Sequence, residues 1–300
     1  MKKFDSNSSL WIYLAILTLL CAGFVGGALA LGESGRYLAQ GYMMTPALAA
    51  IIVRIFFYEG KFSDAKLRMG KVKDYFRYWA LSFSLTILSY ALYIAFGSVT
   101  IDLTGDAFLA RLSQQFAASG QSITDNLPPG FTPKMMMFAF MAGQLTVLNI
   151  LPGLITGFGE EFGHRGFMYE RLKNFGLIKA FTIGGVLWFA WHLPLMLVVP
   201  TPEMSTAQTI INFIAMPIGS IATFIYLAYV LEKTGSIWVT AFAHIVMNNT
   251  QGAFSYFIVI QDQTLANLGV VVAAVIFCAA LPGRYFWKKI KMEREFQDIN

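Results

Sequence analysis

The sequence predicts an all-α, polytopic membrane protein with eight transmembrane helices and both termini in the cytoplasm. Three observations carry this. Hydrophobic residues make up 56% of the 300 and charged residues 13%, about half the roughly 25% of an average soluble domain. Mean hydropathy is +0.58, more apolar surface than a soluble fold of this length can bury. Lys and Arg collect in a few short stretches between long apolar ones.

A helix needs about 20 apolar residues to cross roughly 30 Å of hydrocarbon. Such windows fall at about 10–31, 41–58, 76–97, 135–157, 180–199, 207–231, 236–253 and 264–282. "MKK" precedes the first and "ALA" (Ala28 to Ala30) resembles a cleavage site. Its apolar core is longer than the roughly 7–15 residues of a secretory signal, so it reads as a span.

Orientation follows from the basic clusters. One holds Lys61, Lys66, Arg68, Lys71, Lys73 and Arg77; a second Arg165, Arg171, Lys173 and Lys179; a third Arg284, Lys288, Lys289, Lys291 and Arg294; Lys2 and Lys3 mark the N-terminus. With eight spans all four face the cytoplasm. The net charge of +5 and pI near 9.1 then suit anionic lipid headgroups rather than nucleic acid. The long outer segment, about 98–134, contains "DAFLARLSQQFA", whose Phe108, Leu109, Leu112 and Phe116 recur at the spacing of a helix lying at the interface. Cys21 and Cys278 lie in apolar windows and form no disulfide framework. With no internal repeat, low-complexity stretch or second domain, residues 1–300 read as one integral-membrane domain.

Against this background the stretch "GEEFGHRGFMYERL", Gly159 to Leu172, is anomalous: it keeps Glu160, Glu161, His164, Arg165 and Glu170 beside an apolar run. Two of the three histidines of the chain, His192 in "VLWFAWHLPLML" and His244 in "TAFAHIVMNNT", also fall inside predicted spans. Asn248 follows His244 by four residues and shares its helix face. Burying an acid or a base in a span costs at least about 2.5–3.5 kcal/mol on insertion scales, so such residues mark a functional site by default. The i, i+4 spacing lets Glu161 and Arg165 pair, which leaves Glu160 to find another partner. One Glu, two His and one Asn on three helices form a set able to hold and activate a water. His164 is expected on the surface of a cytoplasmic helix end. A straight fourth span puts Glu160 near that end, whereas His192 lies about 18 Å along the fifth; Pro152, Gly153, Gly157 and Gly159 offer places for a kink that tilts Glu160 back.

"EEFGHR" fits the pattern EExxxR, "WFAWH" the pattern aromatic-xxx-His, and "HIVMN" the pattern HxxxN. In that order, on successive membrane helices, they resemble the CPBP family of type II CAAX prenyl endopeptidases, bacteriocin-processing and lysostaphin-resistance-like proteins, in its bacterial branch. The motif-bearing core is about 135–253. Two departures are His164, where the family often has an aromatic, and Trp188 rather than phenylalanine four residues before His192. The resemblance implies an intramembrane endopeptidase of the cell membrane acting on a membrane-associated or lipidated peptide or protein. Glu160 would activate the water, His192 would help hold it, and His244 and Asn248 would steady the oxyanion, with Glu161 and Arg165 structural. No cofactor is expected, because no HExxH is present; zinc on Glu160, His192 and His244 is the alternative. A non-catalytic peptide-binding or bacteriocin-immunity protein keeps the same residues. A proton-coupled transporter would use buried Glu and His as a relay, but calls for the repeats this chain lacks.

Overall fold

The computed structural model describes residues 6–117, 130–198 and 205–299. Within them the chain forms α1 (Ser6–Ala30), α2 (Leu38–Tyr42), α3 (Thr45–Phe56), α4 (Val72–Ala95), α5 (Asp106–Ala117), α6 (Pro133–Leu145), α7 (Val147–Gly163), α8 (Glu170–Leu172), α9 (Leu177–His192), α10 (Thr206–Thr234), α11 (Ile237–Ser255), α12 (Gln263–Cys278) and α13 (Arg284–Ile299). Starts and stops follow side-chain chemistry. Ser205 and Gln208 close a capping box on α10, Ser236 caps α11, Asp262 accepts from two amides of α12, and Gly235 ends α10 in the left-handed region at φ 57°.

Helices occupy all eight predicted windows. Five are long and apolar enough to cross a membrane, and a sixth span results if the bent pair α6 and α7 counts as one. The windows 41–58 and 236–253 hold α3, only 12 residues, and α11, which is not apolar enough to pass. Twelve residues rise about 18 Å, well short of the hydrocarbon thickness. Lys2, Lys3 and residues 118–129 of the predicted outer segment lie outside the described residues. A helix does form in that segment, α5, and its Phe108 and Leu112 are buried against Met136 and Met137 of α6. A two-stranded antiparallel ladder, β1 (Val99–Ile101) with β2 (Ile258–Ile260), joins this end of the molecule.

The fourth window departs most from expectation. The break falls at Thr146, where the chain bends by 46°, and not at Pro152 or the glycines after it. Beyond the bend one helical run continues from Leu148 to Phe175, through a π-helical turn at His164–Tyr169. Glu160 is therefore mid-helix, which removes the mismatch in depth with His192. The same run corrects the charge map. Arg165 and Arg171 are not loop residues but fully buried ones.

The core around the run is close-packed. α7 lies against α3 and α11, α9 against α10, and α10 against α12. Gly157 lets α7 approach α11: a Cβ there would come 2.5 Å from Ile245. Gly163 does the same toward the backbone of Pro46 in α3. Outside, Leu19, Leu148, Ile155 and Ile214 are each more than half exposed, as apolar side chains meeting lipid are.

Candidate active site

Glu160 and Glu161, adjacent on α7, face different partners because successive helical residues diverge by about 100°. Glu160 is 5% exposed and accepts from Trp188 Nε1 at 3.3 Å. Its Oε2 lies 3.9 Å from His192 Nε2. His192 sits at the C-terminus of α9, its Nδ1 2.8 Å from the Trp188 carbonyl. A carbonyl only accepts, so Nδ1 carries the proton and Nε2, in the neutral ring, is an acceptor turned toward Glu160. Trp191 next to it is held by donation from its indole to Thr45 Oγ1 at 3.1 Å, and its carbonyl accepts from Tyr42 Oη at 2.6 Å. These bonds fix the end of α9 against α2 and α3.

Glu161 is fully buried, and one oxygen, Oε1, meets both Arg165 Nη1 and His244 Nδ1 at 2.8 Å. The carboxylate can only accept, so His244 is held with Nδ1 protonated and Nε2 turned away from Glu161. The Arg165 guanidinium lies between the rings of Trp188, 4.2 Å from its centroid, and Phe224, at 4.4 Å. Trp188 also meets the rings of His192 and His244 edge-on at 5.4 and 5.7 Å. It is thus the shared wall of the site, and its role was not legible beyond a place in a motif.

The structure therefore brings Glu160, His192, His244, Glu161 and Arg165 together. Asn248, one turn beyond His244 on α11, is exposed and makes no hydrogen bond among the described residues. His164 is not at the surface as expected but fully buried, its ring 5.0 Å from Trp191, because the helix runs on past it. Among the described residues no group of three or more His, Cys, Asp or Glu is placed to hold a metal ion.

His192 opens on a cavity of about 300 Å³ between α9, α10 and α12. Its walls are apolar at Phe189, Leu193, Met196 and Phe213 and carry Thr209, Asn212, Gln263 and Asn267. The sequence does not single out these four; three are amides near the starts of otherwise apolar helices, which is the signal that marks them, whereas Thr209 carries only a hydroxyl.

Residues 142–250, a little over a third of the chain, match the family model described as type II CAAX prenyl endopeptidase, Rce1-like. The matched segment contains all three motifs, and the geometry above joins them at Trp188. Over this segment the chain is similar to that family. A relative, CAAX prenyl protease 2 of Methanococcus maripaludis, is 29% identical over 149 residues, covering 46% of this chain and 52% of the relative. The chain thus spans about half the length of the curated relative it matches. With five or six helices among the described residues apolar enough to cross a bilayer, this chain is a multi-pass integral membrane protein.

Proposed function

We propose that this protein is an intramembrane endopeptidase that cleaves a membrane-associated or lipidated peptide or protein with a water activated by Glu160 and His192. The observation that carries the reading is the 3.9 Å gap between Glu160 Oε2 and His192 Nε2 at the edge of an apolar cavity. It is too long for a direct hydrogen bond, yet a water about 2.8 Å from each atom spans it. Both atoms are acceptors, so such a water donates both protons and turns its lone pairs outward. The water oxygen attacks the carbonyl carbon as Glu160 takes one of its protons. The carbonyl oxygen becomes an oxyanion beside His244 Nε2, which donates to it when the ring is protonated, with Glu161 as the counter-charge; Asn248 is the second donor. Collapse of the intermediate breaks the C–N bond, and Glu160 returns the proton to the leaving amine.

The mechanism is metal-independent. In purified protein Glu160→Gln, which keeps the shape and removes the base, abolishes cleavage of a test peptide while the protein stays folded. Phenanthroline leaves the wild type active. Loss of activity to the chelator, restored by zinc, would transfer Glu160, His192 and His244 to the role of ligands.

The same reading has eight membrane segments with both termini cytoplasmic. Supporting it, Lys66, Lys173 and Lys289 from three basic clusters meet at one end through Glu170 and Glu232. The predicted outer stretches meet at the other through the β1–β2 ladder.

A further inference from the structure

The cavity beside His192 holds a row of amides that the proposed chemistry does not use. Gln263 Nε2 donates to Asn267 Oδ1 at 2.9 Å, and Asn267 Nδ2 donates to Asn212 Oδ1 at 2.9 Å. Thr209 lines the same wall one turn before the row reaches α10. Among the described residues that line the cavity, His192 alone carries an ionisable group. A peptide bond inside a membrane protein is attacked only after its segment leaves the helical ladder. Every backbone N–H and C=O so released is left without a partner where water does not reach it, which is unfavourable. Asn and Gln alone among side chains offer two donors and an acceptor without charge, which matches a peptide group. The bonds within the row hold the amides in place before substrate arrives.

Resting on the protease reading, we infer that Thr209, Asn212, Asn267 and Gln263 bind the main chain of an unwound substrate segment. The apolar wall of Phe189, Leu193, Met196 and Phe213 takes an uncharged apolar side chain next to the cleaved bond. The site therefore selects a neutral, apolar, extended peptide and rejects Asp, Glu, Lys and Arg at that position, since the wall of Phe189, Leu193, Met196 and Phe213 offers them no counter-charge. A row that only tied α10 to α12 would affect stability and leave substrate choice alone.

The test uses a randomised, C-terminally amidated peptide library and the full-length protein in detergent micelles, read by mass spectrometry. Charged residues flanking the cut are expected to be depleted at least tenfold relative to the library. Asn267→Leu and the near-isosteric Thr209→Val should each raise KM about tenfold with kcat within twofold, at an unchanged unfolding temperature for at least one of them. N-methylation of the amide flanking the cut should weaken cleavage by the wild type and not by Asn267→Leu. Charged residues at the cut, or both variants cleaving as the wild type does, would overturn the inference. Capture of the same library on Glu160→Gln protein separates the two claims. Apolar peptides held in an Asn267-dependent way, with no cleavage by the wild type, would sink the protease reading and keep the seat. Capture indifferent to Asn267 and Thr209 would sink the seat alone.

Discussion

The shared oxygen of Glu161 sets the energetics of the site. It neutralises Arg165 and orients His244 at once, both at 2.8 Å. A buried pair is no large net source of stability, but removing one partner strands a charge at a cost of about 3–5 kcal/mol. Arg165→Met should therefore lower the unfolding temperature in detergent more than Glu160→Gln does, by the equivalent of about 3 kcal/mol or more. Equal stability of the two variants would contradict the assignment of Glu161 and Arg165 as the structural pair. These residues stood out in the sequence because ionisable groups in an apolar run are rare. The positions of the motifs marked the site, but not that Glu161 grips His244, because that bond closes between helices 83 residues apart. His164 was misplaced for the opposite reason: a histidine after an apolar run reads as an end, and nothing local reveals that the helix goes on.

At the scale of elements, the π-helical turn at His164–Tyr169 is clamped from outside. Arg54 Nη2 donates to Gly166 O at 2.8 Å, and its Nη1 pairs with Asp64. Arg171 pairs with the other Asp64 oxygen at 3.0 Å, and Tyr58 Oη donates to it at 3.1 Å. The loop between α3 and α4 is thereby fixed to the helix that carries Glu160. Burial raises the Asp64 carboxyl, but Arg54 and Arg171 outweigh it and hold the group below the usual carboxylate range. A depressed acid contributes stability that is fully present above its unfolded value of about 3.9 and is lost as pH falls through the lower folded value. Asp64→Asn should thus be less stable than the wild type near neutral pH, with the gap shrinking as pH drops below about 4. Thermal unfolding across that range checks this, and a gap independent of pH would contradict it. Helix positions were readable from apolar runs, whereas the bend at Thr146 was not, since no proline or glycine marks it. The three-residue strands of the ladder lack any periodicity to read.

For the whole molecule, each apolar window holds a helix, while the polar α13 lies beyond the last of them, and among the described residues length and composition qualify only five or six as spans. The positive charges predict an orientation, and two of those counted, Arg165 and Arg171, are buried in the structure; hydropathy cannot tell a charge paired inside protein from one in water. A cysteine placed at Thr104, in the segment proposed to be external, should react with an impermeant maleimide on intact cells. Reaction only after permeabilisation would reverse the topology. In the proposed reading a buried carboxylate cuts peptide bonds at the membrane. It is tested most directly by comparing membrane peptides from cells expressing the wild type or Glu160→Gln at equal level, by mass spectrometry of new peptide termini. A set of termini is expected with the wild type and not with Glu160→Gln, cut beside uncharged residues. Identical termini from both would contradict it.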